Sequence, residues 1–291
     1  MMKGLIVKGI GGFYYIQTEE GLIEAKGRGI FKKQGLTLCV GDEVEVGLIE
    51  NTGKKGVIEA VLPRKNHFIR PPIANIDSFA VVFAASKPKP NYPVIDKFLI
   101  TAEANNIEPV ICINKCDLVS ETDAERIKQI YNDVYKVILV SSKTGQGLEE
   151  LKEIMRGRKT AFAGPSGVGK SSILNALHPK ARMETGEVSH KTERGKHTTR
   201  HVEIFTVDGG GMIFDTPGFT SFDIKDIDEA ELCHYYREFD SYMNSCRYDN
   251  CKHLREPGCA VREAVSEGKI HKMRYDSYVY NQQELKNKRK Y

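Results

Sequence analysis

Gly164-Pro165-Ser166-Gly167-Val168-Gly169-Lys170-Ser171 follows the apolar run Thr160-Ala161-Phe162-Ala163 and leads into Ser172-Ile173-Leu174-Asn175-Ala176-Leu177. The octapeptide fits GxxxxGK[ST], with a strand pattern before it and a helix pattern after it. Glycines let backbone N–H groups turn inward around phosphate oxygens, and the helix start adds the positive end of its dipole. In such a loop Lys170 reaches the β- and γ-phosphates and the Ser171 hydroxyl ligates Mg²⁺. The expected phosphate contacts are therefore Gly164, Pro165, Ser166, Gly167, Val168, Gly169, Lys170, Ser171 and Ser172. A nucleotide-binding loop between a strand and a helix sets the fold of the middle of the chain as α/β.

Two loops upstream select the base. Asn114-Lys115-Cys116-Asp117 follows the strand-like Val110-Ile111-Cys112-Ile113. A carboxylate at Asp117 can accept both the N1–H and the N2–H₂ of guanine, a pair that adenine does not offer. Asn114 and Lys115 would brace the base and its neighbouring loops. Ser141-Ser142-Lys143 follows the apolar run from Val137 to Val140 and can aim a backbone N–H at the guanine O6. Each motif is short, but two such loops, each at the end of its own strand, make a guanine site specific.

Downstream, Asp215-Thr216-Pro217-Gly218 ends the strand-like Met212-Ile213-Phe214. Asp215 is expected to hold Mg²⁺ through water, and the Gly218 N–H to sense a γ-phosphate. Between the two lies Arg194-Gly195-Lys196-His197-Thr198-Thr199, where Thr198 or Thr199 can complete the Mg²⁺ shell alongside Ser171 and Asp215. Many GTPases place a glutamine after the last of these motifs to orient the attacking water. This chain has Phe219, which cannot do so. His197 is the best polar substitute, which makes the candidate catalytic set His197, Lys170, Thr198 and Thr199; a solvated loop histidine is the plain alternative.

The motifs stand in an unusual order. A GTPase ordinarily begins with the phosphate loop and ends with the guanine-reading loops, whereas here Asn114–Asp117 and Ser141–Lys143 come first. The order is that of a circular permutation, which is physically allowed where native termini lie close together. With the β-rich segment before it and the Cys/His cluster after it, the chain resembles the small-ribosomal-subunit-dependent GTPases, the RsgA/YjeQ family. Lys196 stands where that pattern more often has arginine. The resemblance implies bound GTP/GDP and Mg²⁺, GTP hydrolysis stimulated by the small ribosomal subunit, and a role in its late maturation alongside other assembly factors. It also implies contact with ribosomal RNA.

Around this centre the chain divides into three expected domains, giving a multidomain α/β protein. Residues 1–70 read as short strands between Gly-rich turns, with Asp42-Glu43-Val44-Glu45-Val46-Gly47-Leu48 alternating at period two. Such strands can close into an OB-like β-barrel, with Lys26, Arg28, Lys32, Lys33, Lys54 and Lys55 in or near turns where phosphates could meet them. Residues 71–222 alternate strands and helices, as a permuted GTPase domain with a largely parallel sheet would. Residues 223–291 read as helical and polar, ending in a frayed basic tail from Lys286.

Cys246, Cys251, His253 and Cys259 fall within one short stretch of that last domain. Together they can close a tetrahedral Cys₃His site with no open position, so one structural Zn²⁺ is expected; the family resemblance implies the same. Cys39, Cys112 and Cys116 read as packing thiols, and Cys233-His234 as a helical pair with no second pair nearby.

The seven cysteines are an odd number, and the N-terminal stretch, broken by Lys8 and glycines, does not read as a signal peptide. No apolar run is long enough to span a bilayer. The expectation is a cytoplasmic monomer with no membrane partner. Formal net charge is only +4, but residues 202–268 are acidic while 182–201 and 269–291 are basic. That division suits reversible contact with RNA better than permanent burial in it. A second reading keeps the nucleotide as a structural element of an RNA-binding ribosome component with little hydrolysis.

Overall fold

The computed structural model describes residues 1–49, 54–178, 202–224 and 226–288, with the backbone alone at 215–218 and 288. Along the chain the elements are β1 (Met2–Ile10), β2 (Phe13–Thr18), β3 (Gly21–Gly27), α1 (Gly29–Lys33), β4 (Glu43–Leu48), β5 (Lys55–Val61), β6 (His67–Ile69), β7 (Pro72–Ala74) and β8 (Ser78–Ala84). They continue with α2 (Tyr92–Ala104), β9 (Glu108–Asn114), α3 (Glu121–Lys128), β10 (Lys136–Leu139), α4 (Leu148–Met155), β11 (Lys159–Ala163) and α5 (Lys170–Leu177). The remainder are β12 (Val202–Thr206), β13 (Met212–Phe219), α6 (Asp240–Met243), α7 (Ala260–Ser266) and α8 (Lys272–Lys288). Two compact units form, each built from separated stretches of sequence.

One unit comprises residues 1–79, 151–162 and the described residues of 184–219. Its sheet runs β11-β13-β12-β1-β2-β3-β5-β4, and β1 also pairs with β4, which closes the first five strands into a barrel. The alternation read in β4 is realised: Val44 and Val46 are fully buried while Glu43 is exposed. Ile6, Ile16 and Ile58 of the neighbouring barrel strands are also fully buried. A bulge between Ile6 and Lys8 interrupts the β1–β2 register, the kind of local bend that helps a small sheet curl shut. At the barrel's end the buried Asp42 carboxylate accepts two bonds from Arg64, at 2.7 and 2.8 Å, and one from the Cys39 N–H at 2.8 Å. A buried charge satisfied this fully is tolerated where an unpaired one would not be.

β1 also pairs with β12 (Lys8 opposite Glu203), and the two side chains form an ion pair of 2.7 Å. The sequence places a strand end at Phe214, but β13 continues through Phe219. Asp215 pairs with Glu203, and the Phe219 side chain is buried, so both ladder and packing extend the strand. The short α1, with Phe31 buried, and the β6–β7 hairpin are further elements that hydrophobic periodicity does not reveal. Two of the expected phosphate-facing cations have partners within the barrel: Arg28 pairs with Glu59 at 2.6 Å, and Lys26 lies 4.4 Å above the Phe13 ring.

The other unit comprises residues 80–150 and the described residues of 163–183 and 220–291. Its strands lie in the order β10-β9-β8, with β9 and β10 parallel (Val110 opposite Lys136). Asn91 caps α2, its side chain accepting the Val94 N–H, and Ser120 caps α3 in the same way through Asp123. α8 packs along α2. Arg274, 2% exposed, pairs with Asp96 of α2 at 2.5 Å and with Glu238 at 2.7 Å, and its guanidinium faces the Tyr131 and Tyr236 rings. Burial pushes the Asp96 carboxyl up to about 6 against the opposing pull of Arg274. Lys97 and Glu284 add a second ion pair of 2.7 Å between the same helices. The expected basic tail begins as helix, since α8 carries Lys286 and Lys288. A cluster of Tyr236, Phe239 and Tyr278, with ring centroids 5.0–5.4 Å apart, forms the core of the C-terminal region.

Candidate nucleotide site and Cys/His cluster

The phosphate loop lies between β11 and α5, and α5 spans Lys170–Leu177 as the sequence predicts. Gly164 and Gly169 both have positive φ, +143° and +99°. A side chain at Gly164 would run into the Val82 carbonyl, and one at Gly169 into the amide of Asn114, so neither position admits a larger residue without movement. Val168 points into the interior, whereas Ser166 and Gly167 are exposed. The Lys170 ammonium donates to the carbonyls of Gly164 at 2.6 Å and Pro165 at 2.8 Å. Burial pushes it down to about 8. An anion beside it would oppose that shift, as expected of a phosphate-binding lysine. Ser171 and Ser172 are half-buried in the first turn of α5, where N–H groups lack partners within the helix.

Asn114, fully buried at the end of β9, joins the loops. Its Nδ2 donates to the Val168 carbonyl at 2.9 Å and its Oδ1 accepts the Ser142 N–H at 3.3 Å. Lys115 adopts the left-handed conformation (φ 63°), and its ammonium donates to the Gly167 carbonyl at 2.8 Å and to the Lys87 carbonyl at 2.5 Å. The segment after β8 that carries Lys87 thereby joins the site, which no motif announces. Asp117 is exposed, with Oδ1 accepting the Ser141 hydroxyl at 2.7 Å. Ser141 is itself buried and accepts the Thr144 N–H at 3.2 Å, which fixes the turn presenting Ser142 and the exposed Lys143. Asn114, Lys115, Asp117, Ser141 and Ser142 thus come together with the phosphate loop.

Asp215 and Gly218 lie on β13, where only the backbone is described. His197, Thr198 and Thr199 lie outside the described residues.

Within the C-terminal region, Cys246, Cys251, His253 and Cys259 each offer a ligand atom, and these four atoms all lie within 4.8 Å of one another. Cys246 Sγ is 3.6 Å from His253 Nδ1 and 4.0 Å from Cys259 Sγ, and His253 Nδ1 is 3.4 Å from Cys259 Sγ. Tetrahedral bonds of about 2.3 Å to sulfur and about 2.0 Å to nitrogen require ligand separations of roughly 3.5–3.8 Å. The cluster therefore fits a four-coordinate metal. The Glu256 carboxylate gathers the N–H groups of Lys252, Leu254 and Arg255. Tyr275 and Tyr278 of α8 donate to the carbonyls of His253 at 2.8 Å and Lys252 at 2.7 Å. Cys39 and Cys112 are buried thiols pushed up by burial to about 11 and about 12, as packing groups would be.

Phosphate loop, base-reading loops and motif order define the class: a guanine-nucleotide-binding P-loop protein with its motifs permuted. Comparison with known proteins narrows it. The family model described as RsgA GTPase matches residues 61–225, and that described as RsgA N-terminal domain matches residues 3–58. The small ribosomal subunit biogenesis GTPase RsgA of Caldanaerobacter subterraneus is 48% identical over 99% of this chain and 97% of its own length. The protein of the same description from Alkaliphilus metalliredigens is 46% identical over the whole of both chains. The crystal structure of YjeQ from Thermotoga maritima has a TM-score of 0.85 and 40% identity, covering 98% of each chain. That of YloQ, described as a circularly permuted GTPase, has a TM-score of 0.80 and 39% identity, covering 99% of this chain and 96% of its own. The chain belongs to the RsgA family of circularly permuted GTPases.

Proposed function

We propose that this GTPase hydrolyses GTP to GDP and phosphate on the small ribosomal subunit and acts in that subunit's late maturation. The observation that carries the reading is the Asn114 side chain, which bonds to the phosphate loop with one atom and to the base-reading loop with the other. Asp117 reads the guanine edge, and the Ser141-Ser142-Lys143 turn takes its O6. Backbone N–H groups from Ser166 to Ser172, with Lys170, hold the phosphates. Ser171, half-buried on the first turn of α5, suits a Mg²⁺ ligand, with Asp215 and Thr198 or Thr199 as its companions. Mg²⁺ when bound neutralises charge that builds on the phosphate oxygens. Since Phe219 is apolar, His197 orients the attacking water.

One Zn²⁺ on Cys246, Cys251, His253 and Cys259 is structural. The barrel, the zinc-bearing region and the basic segments contact ribosomal RNA mainly through phosphates, so binding weakens with salt. The chain is divided into an OB-like barrel over 1–70, a permuted GTPase domain over 71–222 and a zinc-bearing helical domain over 223–291. Among the described residues no helix is long and apolar enough to cross a membrane, and a cytoplasmic monomer meeting other assembly factors on the subunit is the simplest arrangement. In sequence, Asp215–Gly218 directly precedes the zinc-bearing segment, so loss of the γ-phosphate is taken to lower affinity for the subunit.

Purified small subunits should raise GTP turnover about tenfold or more by positioning the catalytic loop. Turnover unchanged by saturating subunits would contradict the reading and favour a purely structural nucleotide.

A further inference from the structure

Phe219 closes β13 one residue after Asp215–Gly218, and it is only 3% exposed. Its ring centroid lies 5.1 Å from that of Phe68, with the planes at 69°, and 5.2 Å from that of Phe79, at 60°. Phe68 and Phe79 are 5.7 Å apart. Edge-on rings at these separations set the positive rim of one against the negative face of another.

Phe79 is fully buried in β8, whereas Phe68 comes from the three-residue strand β6. The hairpin that presents Phe68 is fastened at its base. Asn66 exchanges two 2.9 Å bonds with the Ile76 backbone, and the Asn75 N–H donates to the Asn66 carbonyl. On the other strand, Val40 N–H donates to the Pro72 carbonyl and Ala74 N–H to the Val40 carbonyl, at 3.2 and 2.9 Å. Asn75 Nδ2 adds a bond of 2.9 Å to the Gly41 carbonyl. Phe68 is therefore held by the barrel's Val40–Gly41 turn, yet its ring rests against the end of β13.

Where many GTPases use the side chain after the Asp-x-x-Gly motif to orient water, this chain commits it to an anchor. We propose that Phe68 is a positioning residue for GTP hydrolysis: through Phe219 it fixes the end of β13, and with it the Gly218 N–H, for the γ-phosphate. The inference rests on the assignment of Asp215–Gly218 as the γ-phosphate-sensing segment made under Proposed function. Removing the Phe68 ring leaves a gap beside Phe219 and frees the strand end. GDP has no γ-phosphate and makes no use of that end, so the loss falls on GTP alone.

The test uses the full chain carrying Phe68→Ala, Phe68→Leu, Ile69→Ser or Gly218→Ala. Affinities for GDP and for a slowly hydrolysed GTP analogue, single-turnover GTP hydrolysis and thermal unfolding are measured for each. Phe68→Ala should leave GDP affinity within about twofold and lower both analogue affinity and turnover about tenfold or more. Phe68→Leu, which keeps an apolar side chain and serves if alanine unfolds the hairpin, should shift both the same way but less. Ile69, 80% exposed at the hairpin tip, is the control, and its serine variant should match the wild type. Equal losses of GDP and analogue affinity in the Phe68 variants would overturn the inference by reducing the effect to general loosening. An unchanged analogue-to-GDP ratio in both would overturn it too, provided Gly218→Ala lowers that ratio. If Gly218→Ala leaves the ratio unchanged, the γ-phosphate assignment fails, and the inference with it.

Discussion

Asp117→Asn should cost about 100-fold in GTP affinity while raising affinity for xanthine nucleotides. The carboxylate of Asp117 is exposed and held by the Ser141 hydroxyl at 2.7 Å. An asparagine can turn its Oδ1 to the same hydroxyl, which leaves its NH₂ facing the base. That group donates where the carboxylate accepted, so two charge-assisted bonds to guanine, each worth about 1.5–3 kcal/mol, are lost or reversed. About 2.7 kcal/mol corresponds to the 100-fold loss. Xanthine has an oxygen at the 2-position in place of guanine's amino group and can accept from the new NH₂. The ratio of GTP to XTP affinity should thus swing by about four orders of magnitude, the sum of two such changes. Competition binding with GTP, XTP and ATP reads it. A variant that still prefers GTP to XTP would show that Asp117 does not read the base.

Removing the zinc should have the largest effect on stability. Three thiols and one imidazole converge within 4.8 Å, and the segment bearing them has little regular structure between Met243 and Ala260. Metal binding of this kind supplies on the order of 10 kcal/mol toward folding at neutral pH. The protein as purified should contain one zinc per chain. Chelation, or Cys259→Ser, should unravel residues 246–259 and loosen α8, because Tyr275 and Tyr278 bond to the carbonyls of His253 and Lys252. Hydrogen exchange should show protection lost first in that segment and in α8, with the five-stranded barrel unaffected. Metal-free protein with full protection there would contradict a structural zinc.

How far the sequence can be read depends on the kind of constraint. α5 begins and ends where its pattern does, because the Gly-Lys-Ser start and its apolar positions are local signals. β4 is equally plain at its centre, where Val44 and Val46 are buried on alternate positions, although Leu48 at its end is exposed. β6 and β7 carry three residues each around Pro71 and Pro72, too few for a period to register. The end of β13 is misplaced by pattern alone because Asp-Thr-Pro-Gly reads locally as a turn, while the Glu203 ladder and the Phe219 ring hold it as strand.

For the site, Asn114, Asp117 and Ser141 are legible as motif residues, but not the reason Asn114 is needed. Its bonds to Val168 and Ser142 span separate loops and leave no sequence signature. The same holds for Lys87, which contributes only a carbonyl, and for Arg274, whose buried partners Asp96 and Glu238 are far away in sequence. Long-range polar pairing is chosen by tertiary packing and has no period to betray it.

Coupling of the γ-phosphate to subunit binding is tested most directly by one measurement: the affinity of purified small subunits for the protein loaded with a non-hydrolysable GTP analogue and for the protein loaded with GDP. Binding should be about tenfold or more tighter in the analogue-bound state, and the difference should persist as salt weakens both. Equal affinity in the two states would contradict the account, since a nucleotide can shift only an equilibrium whose two states it distinguishes.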